Sequence, residues 1–284
     1  MSKRLVVRAL QLLRSNPQLF LKRVVAEVRR IQPLPRSRVW KRINNRVLFE
    51  FDFTLDPTVG AMYRSVYEMS TVESMKKLLK DGDVFIDVGA NIGYLSAVAL
   101  TLVGQNGQVH SFEPVPEYFE KLQNLTAMNQ GYRIVAIQCA LGETEGIASI
   151  TTSRLSNVGW NTMVVGFMSR ETVREEIEVR VQRLDKYIQE NDLRNISLIK
   201  IDTEGFEFPV LKGLSDYFEN SIIRPPIICE IAPAAYPLLE CTLIQLQEFM
   251  TKYNYVAVSL DDFCTPVDVA KLKCTTTVVF RLVE

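Results

Sequence analysis

The pattern of apolar and polar positions changes character along the chain. From residue 84 to about 260, short apolar runs alternate with stretches of helical period. Runs at 84–88, 108–112, 133–138, 197–201 and 226–231 read as strands, and Val84-Phe-Ile-Asp-Val88 and Ile227-Ile-Cys-Glu-Ile231 are apolar almost throughout. Strands of that kind suit a parallel sheet covered by helices on both faces. The periodic stretches predict helices near 93–102, 117–129, 204–217 and 239–253. Residues 255–260 and 275–283 predict a closing, hairpin-like pair. Between the third and fourth strands, residues 147–151 and 177–181 read as edge strands. The polar loop Ser156-Asn-Val-Gly-Trp-Asn161 lies between them. A connection this long inside a compact domain is usually functional or mobile.

Upstream the pattern differs. Val47, Phe49, Phe51 and Phe53 alternate with Leu48, Glu50 and Asp52, the period of a half-buried strand. A short helix over 71–80 and a turn at Asp81-Gly-Asp83 follow. Residues 3–31 predict one or two amphipathic helices broken near Pro17, with Leu5, Val6, Leu10 and Leu13 on one half of the wheel and Lys3, Arg4, Arg8 and Arg14 on the other. Pro33-Leu-Pro-Arg-Ser37 reads as a linker. The expected organisation is a basic helical N-terminal segment, 1–45, and an α/β domain, 46–284.

Charge divides the chain at nearly the same place. Residues 1–46 hold thirteen Lys/Arg against one acid, Glu27, while the rest holds twenty bases and thirty-two acids; the chain of 284 residues is neutral as a whole. An acidic body gives nucleic acid nothing to bind, so no nucleic-acid partner is expected. The basic segment permits packing on its own domain, a homo-oligomer contact, a peripheral membrane contact through residues 1–32, or targeting. No apolar run reaches the ~18 residues of a membrane span, and Arg8 and Arg14 interrupt any signal-peptide core. Five cysteines without paired spacing read as free thiols in a reducing compartment. A cytoplasmic location is expected, with membrane association through the basic segment as its variant. The single histidine, His110, reads as a satisfied core or edge residue. With only one imidazole, no metal site is expected.

Three constellations carry candidate chemistry. Asp87-Val-Gly89-Ala-Asn91-Ile-Gly93 follows a strand and opens a helix, the setting of a nucleotide-cradling loop. Gly89 permits a tight turn and Gly93 close helix packing. The dinucleotide fingerprint requires two further glycines where Asn91 and Tyr94 stand, which disfavours a nicotinamide cofactor. The acid ahead of the glycines, Asp87, suits a cationic ligand such as S-adenosylmethionine. Glu113 ends the second strand twenty residues beyond Gly93, where a carboxylate can accept from both ribose hydroxyls; Pro114 and Pro116 fix the turn after it. Asp202-Thr-Glu204-Gly-Phe-Glu207 crowds three carboxylates where the fourth strand meets its helix, and crowding raises at least one pKa toward that of a working base. Glu207 suits stabilisation of the helix N-terminus instead. Glu230, inside the fifth strand, needs a partner if buried, and Glu68 is placed to reach a cofactor's amino group.

These residues resemble a known family. Residues Asp81 to Gly93, Phe112-Glu-Pro114, Ala140-Leu-Gly-Glu143, Leu184-Asp185, Lys200 to Glu207 and Val210-Leu-Lys-Gly213 are similar to the FkbM-type methyltransferases, in order, over about residues 63–232. The resemblance implies a class I methyltransferase, Rossmann-like α/β fold, with a seven-stranded, mostly parallel sheet whose last strand is antiparallel. It implies S-adenosylmethionine as methyl donor and a hydroxyl on a sugar, glycan, natural product or other small metabolite as acceptor. By position it implies Asp87, Gly89, Asn91 and Gly93 along the methionine moiety, Glu113 at the ribose, Ala140 and Leu141 beside the adenine, and Asp202 and Glu204 facing the transferred methyl. Arg183 departs from the pattern, replacing a small polar residue before Leu184-Asp185.

An acceptor hydroxyl attacking in line needs its proton removed. Asp202 and Glu204 are the first candidates for that base and Glu230 the second, with Trp160 and Asn161 placed to cover the acceptor. The competing readings are an N-methyltransferase on the same scaffold, a nicotinamide enzyme, and a non-catalytic S-adenosylmethionine-binding adaptor docked on a membrane.

Overall fold

In the computed structural model, residues 33–55, 58–154 and 160–283 are described. The chain forms two units, one of Met1–Val39 and Phe51–Met69, the other of Trp40–Glu50 and Ser70–Glu284. The predicted helices over 3–31 lie outside the described residues.

β1 (Arg38–Ile43), unforeseen in the sequence pattern, pairs with β2 (Val47–Asp52) through a turn at Asn44 and Asn45, both left-handed at φ 48° and 58°. Asn-Asn serves here because its side chains tolerate the backbone that a tight hairpin demands. In the smaller unit, Arg38 pairs with the buried Asp52 at 2.7 Å. Tyr63, at the end of α1 (Thr58–Tyr63), meets Phe51 and Phe53 edge to face.

The larger unit holds α2 from Ser70 (helix Met69–Leu78) and a seven-stranded sheet. Its strands are β3 (Val84–Val88), β4 (Gln108–Phe112), β5 (Arg133–Ile137), β9 (Ile196–Ile201), β10 (Ile227–Ile231), β11 (Tyr255–Ser259) and β12 (Thr276–Leu282). They lie in the order β11-β12-β10-β9-β3-β4-β5. β12 runs antiparallel to both neighbours while the other pairs are parallel. The sheet is the one that the resemblance implied. α3 (Tyr94–Val103) and α4 (Pro116–Met128) connect β3, β4 and β5 on one side of the order. The chain then returns to β9 on the other side of β3. Strand order therefore reverses between β3 and β9, and ligands of open α/β sheets bind beyond the carboxyl ends of the strands at such a point.

The two strands expected at the sheet's edge are not there. β7 (Gly146–Ser153) and β8 (Val173–Gln182) join the short β6 (Ala140–Leu141) in a separate three-stranded sheet, order β6-β8-β7. The residues explain the difference. The central strands β3, β4, β9 and β10 are buried on both faces, whereas β8 alternates Glu176, Glu178 and Arg180 outward with Ile177, Val179 and Val181 inward. Its apolar face packs with Val115, Ala140 and Ile150.

Two expected helices are also shorter. The stretch 204–217 is divided into α6 (Glu207–Lys212) and α7 (Ser215–Asn220). At Gly213 between them, an added Cβ would stand 2.2 Å from the Gly142 carbonyl, a backbone approach that sequence periodicity does not reveal. Of the stretch 239–253 only α8 (Leu243–Lys252) is α-helical, started by a capping box of Thr242 and Gln245, and a 3₁₀ turn, Pro233–Leu239, precedes it. α5 (Leu184–Glu190) was not foreseen as a helix. Arg183, the departure from the family pattern, forks onto Asp185 and donates to the Glu143 carbonyl at 3.0 Å. No helix among the described residues is long and apolar enough to cross a membrane.

Candidate functional site

The carboxyl ends of β3, β4 and β9 are stitched together by main-chain hydrogen bonds. Gly89 and Ala90 both donate to the Phe112 carbonyl, at 3.1 and 2.9 Å, and Asp202 donates to that of Val88 at 3.1 Å. This closeness dictates the glycine. Gly89 has φ +73°, and a Cβ there would lie 1.9 Å from the Asp202 carbonyl oxygen. Asn91, at φ 55°, takes the next left-handed position. Its amide donates to Glu113 Oε2 at 2.8 Å, while Glu113 Oε1 accepts from Val115 at 2.9 Å. Glu113 thus holds the glycine bend to the end of β4, using one lone pair of each oxygen.

A cleft opens to solvent at this junction. Gly89, Asn91, Glu113, Pro114, Ala140, Leu141, Asp202 and Glu204 all line it. Phe112, Ile150, Met163 and Phe206 add an apolar flank, and Thr203 and Asn161 add polar groups. Asp87 and Gly93 do not line it. Gly93, at φ +83°, allows α3 to sit against Leu122 and Leu125 of α4. Asp87 is fully buried behind the bend, accepting from Ser96 at 2.6 Å, and its Oδ1 has no hydrogen-bond partner. Glu68 belongs to the smaller unit, at φ 41° just ahead of the helix beginning at Met69.

The acids of the fourth-strand loop sort by burial. Glu204 and Gly205 both have positive φ, 51° and 103°, and Gly205 is required because a Cβ would meet that of Ala235 at 2.5 Å. Glu207 closes this bend from below. Its Oε1 accepts from the amides of Gly205 at 2.7 Å and Thr203 at 3.3 Å. Burial pushes Glu207 and Glu113 up to about 7 despite those backbone donors. Burial pushes Glu204 further, to about 9, and the neighbouring Asp202, Glu230 and Glu207 add to the rise. Carboxylate oxygens of Asp202, Glu204 and Glu230 lie within 4.8 Å of one another. Oxygens so close share protons, pair with a base, as Asp202 does with Lys200, or hold a metal cation. This group qualifies the expectation that metal chemistry is excluded by the lack of histidines, since hard divalent ions take oxygen ligands.

One member of the site was missed in the sequence. Lys200 is 5% exposed and sits one residue from the end of β9, 3.0 Å from Asp202 Oδ2 and 3.9 Å from Asp87 Oδ1. The signal was present: a lysine inside Leu198-Ile-Lys-Ile201 cannot be buried without anionic partners. His110 is a core residue as read. Its Nδ1 meets the Tyr187 hydroxyl at 2.8 Å, and burial lowers it to about 4. All five cysteines are free; Cys139 and Cys229 are buried, whereas Cys264 and Cys274 are exposed.

A mostly parallel seven-stranded sheet with one reversed strand, and a glycine bend with a strand-end carboxylate at its switch point, define the class I methyltransferase arrangement. The chain belongs to the methyltransferase FkbM domain family, whose model matches residues 87–257. The family's methyl donor is S-adenosylmethionine. Among relatives, the chain is 32% identical over 162 residues to the 31-O-demethyl-FK506 methyltransferase FkbM of Streptomyces tacrolimicus, covering 49% of this chain and 62% of that one. It is 23% identical over 154 residues to the hexuronic acid methyltransferase AglP of Haloferax volcanii, covering 54% and 59%. Among solved structures, the methyltransferase FkbM of Methylobacillus flagellatus aligns at 18% identity with a TM-score of 0.42, over 79% of this chain and 54% of that one. The chain spans about 60% of the length of the curated relatives that it matches first.

Proposed function

We propose that this protein transfers a methyl group from S-adenosylmethionine to a hydroxyl of a small metabolite, sugar or glycan. One juxtaposition carries the reading: Gly89 and Glu113 border the same cleft as Asp202 and Glu204. The lining also fits the cofactor chemically, with an apolar flank at Ala140 and Leu141 for adenine and a carboxylate-rich end for positive charge.

S-adenosylmethionine, when bound, supplies a methyl group on a positively charged sulfur. Glu113 grips the ribose hydroxyls with the lone pairs that Asn91 and Val115 leave free, and Pro114 fixes the turn beneath it. Gly89 and Asn91 border the methionine portion. Asp87 and Gly93 act from behind, the one holding Lys200 and the bend, the other seating α3. Asp202, fixed by Lys200, would offer negative charge to a bound donor's sulfonium. Glu204 takes the acceptor's proton as the hydroxyl attacks, with Glu230 as the alternative base. Fixing an acceptor hydroxyl beside the donor would supply much of the acceleration.

The test is methyl transfer from isotopically labelled S-adenosylmethionine into cell extract, with mass spectrometry for products heavier by one methylene, alongside calorimetric cofactor affinity. Glu113→Ala is expected to weaken cofactor binding about 10- to 100-fold, the worth of hydrogen bonds to a charged group. Glu204→Gln is expected to keep affinity and lose at least about 100-fold in turnover. Unchanged turnover in Glu204→Gln moves the base to Glu230 or Asp202, and failure of the unaltered protein to bind the cofactor overturns the whole reading.

A further inference from the structure

A second cavity adjoins the cofactor cleft, with about 520 Å³ of open space bounded by Trp160, Thr162, Phe167, Met168 and Glu204. The segment 160–163 is the partition between the two. Asn161 and Met163 line the cleft, whereas Trp160 and Thr162 line the second cavity. The alternation is that of extended backbone, and Thr162 indeed pairs with Thr151 in an isolated β-bridge. Thr162 also pins the partition to the catalytic loop, its hydroxyl donating to the Glu204 carbonyl at 2.7 Å. Glu204 is the one residue bounding both spaces. A turn after Val164, closed by the Phe167 amide on the Val164 carbonyl at 3.2 Å, brings Phe167 back toward Gly205.

We propose that this second cavity is the acceptor subsite and that it selects an uncharged acceptor presenting a ring face. The inference rests on the methyltransferase reading and deepens it. Two observations determine the chemistry. Trp160, Phe167 and Met168 offer flat and polarisable apolar surface, which favours a ring laid against it over an extended polar chain. Among the described residues the one ionisable group on its wall is Glu204, and carboxylate oxygens of Asp202 and Glu230 stand within 4.8 Å of its own. An acceptor with its own carboxylate beside the reacting hydroxyl brings a further negative charge to this cluster and is disfavoured. Acceptor selection thus follows from the sign of the local charge together with the aromatic wall. By this criterion hexuronic acids are poor acceptors for this chain, although a relative bears that substrate in its name.

The sequence contains two tryptophans, Trp40 and Trp160. In the full chain carrying Trp40→Phe, Trp160 becomes the sole indole reporter of the second cavity. Its fluorescence is titrated with para-nitrophenyl β-glucoside and, separately, para-nitrophenyl β-glucuronide, both with S-adenosylhomocysteine present. The expected result is saturable quenching by the glucoside, with the glucuronide at least tenfold weaker at neutral pH. Phe167→Ala and Met168→Ala, each on the Trp40→Phe background, are expected to weaken the glucoside severalfold while leaving calorimetric S-adenosylhomocysteine affinity unchanged. Intact S-adenosylhomocysteine binding without saturable quenching, or with equal affinity for the two glycosides, overturns the subsite and leaves the methyltransferase reading standing. Absent S-adenosylhomocysteine binding removes both.

Discussion

Glu204 is held in the form least suited to the task proposed for it. A carboxyl pushed to about 9 carries its proton at neutral pH, so only a small fraction of molecules has the base ready. If Glu204 accepts the hydroxyl proton, kcat should rise about tenfold per pH unit below pH 9 and level off above it, and Glu204→Gln should abolish that slope. A pH–rate profile of both proteins checks this; a flat profile for the unaltered enzyme sinks the assignment. Stability should run the other way. Glu113, Glu204 and Glu207 all have folded values raised above the ordinary 4.5, so the folded chain retains protons that the unfolded chain has released. Their contribution is complete below about pH 4.5 and is lost as pH rises through about 7 for Glu113 and Glu207, then about 9 for Glu204. Each such proton is worth about 1.4 kcal/mol per pH unit over its window. Urea midpoints should therefore fall from weakly acidic toward alkaline pH while turnover climbs. Lys200 offers a second test at this scale. Lys200→Met strands the buried Asp87 beside Asp202, and removing one partner of a buried pair costs about 3–5 kcal/mol. The urea midpoint should drop with an unchanged slope.

Among the elements, the bends at the strand ends impose the strictest local demands. Gly89→Ala meets two penalties, a left-handed backbone and a carbonyl oxygen 1.9 Å from the new methyl, so β3 and β9 must separate. Gly82 also has a positive φ, +88°, but nothing lies within 4 Å of its would-be Cβ. Gly82→Ala should cost only the left-handed strain, about 1–2 kcal/mol, and keep cofactor affinity, whereas Gly89→Ala should lose both stability and affinity. Thermal unfolding and calorimetry on the pair distinguish steric approach from backbone strain. The same contrast explains what was legible in the sequence. β3, β4, β9 and β10 were readable because burial on both faces leaves runs such as Val84-Phe-Ile-Asp-Val88, and the meeting of Gly89, Asn91 and Glu113 at one cleft was readable because their spacing is local. The division of α6 from α7 was not, because it depends on a carbonyl of Gly142, seventy-one residues earlier in the chain. Nor was the separate β6-β8-β7 sheet, since period-2 alternation marks a half-buried strand without saying which sheet receives it. Lys200 was overlooked because its apolar neighbours hide a charge whose partners lie on β3 and at the end of its own strand.

Across the whole chain, neutrality conceals a separation of charge. Residues 1–32 lie outside the described residues, but their composition is informative: eight Lys/Arg against one acid, Glu27, followed by a body in which acids outnumber bases. An acidic body is repelled by an anionic bilayer, so any such attachment must come from the basic end, and each base near the surface is worth about 1 kcal/mol of attraction. We propose that this segment holds the protein on anionic lipid, where an acceptor with an apolar portion would concentrate. The full chain should co-sediment with phosphatidylserine-containing vesicles at low salt and not with pure phosphatidylcholine. Raising salt to about 1 M, which shortens the screening length to about 3 Å, should release it. Removing residues 1–32 should abolish co-sedimentation at every salt concentration while leaving S-adenosylmethionine affinity unchanged, because the residues proposed to bind it in the larger unit all lie beyond residue 86. Attachment that survives the deletion assigns the lipid contact to the α/β body instead, and attachment indifferent to both salt and lipid charge removes electrostatics as its cause.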